Sequence, residues 1–243
     1  MNKYFDIDLG DETPASVFVK LRSLSPSFLL ESIERGVDQS RYSFLGLGVS
    51  SVVEVNQGVF SFNSEKMASP DSQDEMMELF RTVLKDLPDL SPQIQDIPFS
   101  GGIVGFSGYD MVRYFESLPV EESKGGLLNP PDCAYLAPLS LLVFDHEDNS
   151  MALLHAGEEH DRNKLKTNIL DLLKTEISDS TDQNCSYSQP AANVEEDVFN
   201  KAVEKAKHHI FEGDIFQIVL SIAFSGNYNL DPFDVYRAMR LVN

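Results

Sequence analysis

Leu139-Ser-Leu-Leu-Val-Phe144, Asp145, His146-Glu-Asp-Asn149, Ser150, Met151-Ala-Leu-Leu-His155 is the stretch on which the fold turns. Two apolar runs of strand length flank a short polar tetrapeptide. That pattern predicts a β-hairpin with its turn at 146–149. Hairpins make antiparallel sheets, whereas parallel sheets need long helical crossovers. The neighbouring sequence repeats the pattern. Arg41–Leu47, Ser51–Val55 and Val59–Phe62 read as strands, and Asn56-Gln57-Gly58 between the last two is a tight turn. Ser27–Ile33 reads as a further strand, and Ser100–Phe115 as a Gly-rich strand that turns helical near Tyr109.

Helices interleave irregularly with these strands. Thr13-Pro14 is a cap followed by a first helical residue, and Val17, Phe18, Leu21 and Leu24 follow at helical spacing. Ser69-Pro70 opens a second helix, with Met76, Phe80, Val83, Leu84 and Leu87 on one face. Asp161–Ile177 reads as a third, with Leu165, Ile169, Leu172 and Leu173 facing inward. The irregular order predicts a mostly antiparallel α+β protein and argues against a doubly wound one. Residues 179–194 are polar and read as a linker between a region 1–178 and a segment 195–243. That last segment reads as a helix over 195–212 capped by Gly213, a strand Ile215–Phe224 and a helix after Asp231-Pro232. It is too small to bury a core by itself, so it is expected to need more chain or a partner.

Composition narrows the function. The 243 residues carry 39 acidic against 19 basic side chains, a formal net charge of -20. Such a surface repels phosphate backbones and anionic lipid, which excludes nucleic acid and membrane surfaces as expected partners. Cys133 and Cys185 are far apart and outside any Cys/His metal spacing, so they read as free thiols of a reducing cytoplasm. No apolar run approaches a membrane span. Gly101-Gly-Ile-Val-Gly-Phe-Ser-Gly108 lacks the spacing and the Lys-Ser/Thr ending of a phosphate loop, so its glycines read as close packing in a sheet. The 5 histidines form no metal motif, and no Gly-x-Ser-x-Gly elbow is present.

Two features are candidate chemistry. Glu31-Ser32 ends an apolar run with a carboxylate beside a hydroxyl, a pair able to bind an amino acid; the alternative is a strand reaching solvent. Gln217 shares one face of the run Ile215–Leu220 with Ile215 and Val219, so its amide is able to wall a polar pocket or to sit hydrogen-bonded in a core.

Taken in order, six blocks resemble component I of anthranilate synthase. They are Phe28-Leu-Leu-Glu-Ser32, Arg41-Tyr-Ser-Phe-Leu-Gly46, Gly101–Asp110 with Arg113, Val143-Phe-Asp-His146, Gly213–Ser221, and Pro232 with Tyr236–Asn243. The resemblance implies a sandwich of antiparallel sheets faced by helices, of which this chain holds the amino-terminal half. Residues 1–178 would be the regulatory region, and 195–243 the start of the chorismate-binding domain. It also implies conversion of chorismate and ammonia to anthranilate and pyruvate, with ammonia from a glutamine amidotransferase partner and with Mg2+ holding the substrate carboxylate. Glu31 and Ser32, with Arg41 as a further candidate, would bind L-tryptophan as feedback inhibitor. No catalytic or metal-binding residue is expected within the chain; Gln217 would stand in the pocket wall. Related isochorismate-forming enzymes carry Lys there to activate water, and an amide does not take a proton from water near neutral pH. Ile222-Ala223 departs from a basic residue usual in the family. The sister aminodeoxychorismate synthase component I, or a non-catalytic tryptophan-binding module, are the alternatives.

Overall fold

The computed structural model describes residues 3–31, 41–70, 72–116, 129–176 and 186–242. The chain forms two units, Met1–Ile177 and Ser178–Asn243.

The first unit holds two five-stranded sheets. Its strands are β1 (Ile7–Asp8), β2 (Pro26–Leu30), β3 (Tyr42–Leu47), β4 (Ser51–Asn56), β5 (Val59–Phe62), β6 (Glu65–Ala68), β7 (Val104–Ser107), β8 (Cys133–Ala137), β9 (Ser140–Asp145) and β10 (Ser150–His155). One sheet runs β1-β10-β9-β3-β2 and the other β6-β5-β4-β8-β7. All neighbours are antiparallel. This is the α+β class with antiparallel sheets that the hairpin patterns predict. Its helices are α1 (Pro14–Lys20), α2 (Gln73–Asp86) and α3 (Glu159–Leu173).

The predicted hairpin is β9 and β10, paired from Asp145 opposite Ser150 to Ser140 opposite His155. Every residue of both strands is buried. Period-two alternation therefore fills two cores, one on each face. Leu142, Phe144, Met151 and Leu153 join Leu45 and Leu47 beneath Val17 of α1, the capping Leu21 that follows it and Ile169 of α3. Leu141, Val143, Ala152 and Leu154 pack on the other face with Phe5, Phe44, Leu90 and Ile94. Burial of each such side chain stabilises by roughly 1.5–3 kcal/mol. Thr13 caps α1 through a reciprocal pair of bonds with Ser16. Lys20 then ties α1 to α3, pairing with Glu12 and donating to the Leu173 carbonyl at 2.6 Å.

The second sheet is covered by α2. Met76 and Val83 pack with Val53, Val55, Phe60 and Cys133. Phe80 sets its ring edge-on to Phe60 and to Tyr135, each at 5.9 Å. The helix begins later than Ser69-Pro70 suggests, because Ser72 supplies the cap by accepting from the Glu75 N–H. Leu84, expected on the inner face, is exposed. Strands β6 and β8 were not expected from their sequences. Tyr114 fastens this sheet to the six-residue 3-10 turn Tyr109–Tyr114. Its hydroxyl donates to Asp132 at 2.7 Å and accepts from the Gly58 N–H at 2.9 Å. Burial and then the Asp132 carboxylate push its phenol up to about 12.

The second unit contains α4 (Glu196–Glu212), α5 (Pro232–Val242) and a two-residue pair, β11 (Ala191–Ala192) with β12 (Phe224–Ser225). Part of the stretch read as linker is thus hydrogen-bonded structure; Ser188 N–H also donates to the Asn227 carbonyl at 2.8 Å. The predicted strand Ile215–Phe224 is corrected. Only Phe224 and Ser225 are in a ladder, and residues 217–223 have no regular secondary structure. A strand-like composition becomes a strand only beside a partner, and among the described residues the partner is Ala191–Ala192 alone. The unit leaves much of its apolar surface in solvent: Phe211, Phe216, Val219 and Leu241 are exposed, and Ala206 is the buried residue of α4.

Candidate functional site

The site expected from Glu31, Ser32 and Arg41 lies at one end of the first sheet. Strands β2 and β3 are antiparallel, so the residue that follows β2 and the residue that precedes β3 meet at the same end. Glu31 is half-buried there, one position past the edge strand β2. Ser32 lies outside the described residues. The Arg41 side chain is already engaged. Its Nε and Nη2 donate to the Asp145 carboxylate at 2.9 and 2.6 Å, and Nη1 pairs with Glu147 at 2.9 Å. Its guanidinium also sits 5.2 Å from the Tyr42 ring centre.

These contacts lock the start of β3 to the β9–β10 turn. The His146 N–H donates to the Arg41 carbonyl at 2.9 Å, and Ser43 Oγ lies 2.8 Å from His146 Nε2. Asp145 is almost wholly buried, and burial pushes its carboxyl up. Arg41 and the N–H groups of Glu147 and Asp148 more than offset this and hold it below the ordinary carboxylate range. The bond to Asp145 in turn raises the Arg41 guanidinium. Arg41 therefore ties the start of β3 to the β9–β10 turn. Sequence reasoning missed Asp145 as its partner, because the two are 104 positions apart. The one available signal was that Val143-Phe-Asp-His146 and Arg41–Gly46 both belong to the quoted blocks.

Gln217 is exposed, in a segment with no regular secondary structure. The strand face it was expected to share with Ile215 and Val219 does not form, since residues 217–223 have no regular secondary structure, and Val219 is likewise exposed. Among the described residues no group of three or more His, Cys, Asp or Glu side chains is placed to hold a metal ion. Cys133 is a buried free thiol, raised by burial; Cys185 lies outside the described residues. No described helix is long and apolar enough to cross a membrane.

Two helix-faced antiparallel sheets, followed by a helical unit with exposed apolar side chains, define the class as an α+β protein. The chain belongs to the chorismate binding enzyme family, whose profile matches residues 33–243. It is 35% identical over 244 residues to anthranilate synthase component 1 of Thermus thermophilus, covering 99% of this chain and 50% of that protein. Its identity with the Acetivibrio thermocellus protein of the same name is 30%, over 96% of this chain and 49% of that one. Among solved structures, anthranilate synthase component I from Streptococcus pneumoniae superposes with a TM-score of 0.66 at 25% identity, over 98% of this chain and 52% of that one. The chain spans about half the length of the curated relatives it matches.

Proposed function

We propose that the chain is part of component I of a cytoplasmic anthranilate synthase, a lyase that converts chorismate and ammonia to anthranilate and pyruvate. A glutamine amidotransferase subunit is the proposed source of ammonia, and Mg2+ the proposed metal. The observation that carries this reading is the 35% identity to a component 1 along 99% of the chain. Within it, Glu31 and Ser32 are the proposed tryptophan ligands, the carboxylate for the ammonium group. Arg41, the further candidate for the same pocket, also ties the adjoining end of β3 to the β9–β10 turn. Gln217 enters only through its residue type: an amide is not a base for water, which favours ammonia as nucleophile.

The test is complementation. The purified chain is mixed with chorismate, ammonium and Mg2+, with and without the half of the Thermus relative that it does not cover. Anthranilate fluorescence is expected in the complemented mixture and absent from the chain alone. Formation of aminodeoxychorismate instead would transfer the chain to the sister enzyme. In the complemented protein L-tryptophan is expected to inhibit, and Glu31→Gln to relieve that inhibition while leaving the rate without tryptophan unchanged.

A further inference from the structure

A cavity of about 430 Å3 opens at the other end of the first sheet, remote from Glu31 and Arg41. Leu47, Ser140 and His155 are register partners there, whereas Tyr42, Asp145 and Ser150 are partners at the Arg41 end. Leu24, Leu47, Leu139 and Leu165 give the cavity apolar walls. Small-molecule sites commonly measure about 300–1,000 Å3 and combine such walls with a few placed polar groups.

The polar group here is His155, only 9% exposed. Its Nδ1 lies 2.8 Å from Ser140 Oγ. Its Nε2 has no hydrogen-bond partner among the described residues. A side chain at Gly157 would come within 3.0 Å of Nε2, so that glycine leaves the flank of the ring open. Burial holds the imidazolium below its ordinary range, and the neutral ring offers one hydrogen-bonding function at Nε2. Asp161, Lys164 and Asn168 of α3 also line the cavity, at helical spacing along one face. Neither Asp161 nor Lys164 has an ion-pair partner among the described residues, and their opposite charges favour neither an anion nor a cation.

We propose that this cavity is a binding site for a small uncharged molecule, with a body of one or two rings and a single hydrogen-bonding group that meets His155 Nε2. The site is independent of the function proposed above.

The test uses 2-naphthol as probe and naphthalene as its counterpart without the hydroxyl, each titrated into the 15N-labelled chain. 2-Naphthol is expected to shift the amides of Gly48, Leu139 and His155, and naphthalene to bind about fivefold more weakly for want of one hydrogen bond. Asn168→Trp, on the exposed rim, and Leu165→Trp, in the wall, are each expected to weaken 2-naphthol by about tenfold or more. Thermal midpoints like the parent's establish that the variants are folded; Asn168→Trp decides alone if Leu165→Trp is not. Shifts confined to residues 196–242, equal affinity for the two probes, or parent-like affinity in Asn168→Trp would overturn the proposal.

Discussion

Arg41 commits every guanidinium nitrogen to the turn between β9 and β10, and the buried partner Asp145 makes that commitment matter. Asp145→Asn keeps the shape but loses the charge, so it is expected to lower the thermal midpoint at pH 7. The carboxyl is held below its unfolded value of about 3.9, so its contribution is complete above that pH. It is lost as pH falls through the lower folded value. The gap in midpoint between parent and variant is therefore expected to shrink in melts below about pH 4. Gly105 exerts a different constraint. A Cβ there would lie 1.9 Å from the Ala134 carbonyl oxygen, inside the β7–β8 ladder. Gly105→Ala must push backbone from backbone, and a loss of about 2 kcal/mol or more is expected in denaturant titration. Close packing in the sheet thus holds at Gly105, whereas Gly101 and Gly102 precede β7 at positive φ, where the backbone conformation rather than a close approach favours glycine.

Among the elements, β9 and β10 carry the first unit. Leu142 is fully buried in the core under α1 and α3, and Leu142→Ala is expected to cost about 2–5 kcal/mol by chemical unfolding. Leu84→Ala, on the solvent side of α2, should cost less than about 1 kcal/mol in the same measurement. The hairpin was legible because its strands are apolar almost throughout. Strand β6 was not: Glu65-Lys-Met-Ala68 is exposed at every position, so it has no alternation to read. The start of α2 was misplaced at Ser69-Pro70, because Ser72 is a cap of the same competence three residues later and is the one the helix uses. Ile215–Leu220 misled in the opposite way, with strand-like residues but no ladder beside them. At the candidate site the type of Glu31 was legible and the partner of Arg41 was not, because register between distant strands is a tertiary choice. The Ser140–His155 contact was latent in the hairpin register, which places those residues opposite each other.

For the whole molecule, the two units differ in how much they bury. The first has three clusters of buried apolar residues, while α4 contributes Ala206 and α5 no buried residue. Backbone bonds with little cover open at low cost. Amide hydrogen exchange is expected to be complete across 196–242 long before β9 and β10 exchange; equal protection in the two regions would contradict this. Sequence order adds a consequence for the sheet that holds Arg41. Its strand β3 pairs with the distant β9, Tyr42 opposite Asp145, whereas β4, β5 and β6 meet through short turns. On a translating ribosome the second sheet can begin to zip at once. Strand β3, which β2 can already pair on one side, must wait on its other side for a hairpin not yet synthesised, leaving Tyr42 to Leu47 as a sticky edge for chaperones to shield until β9 arrives.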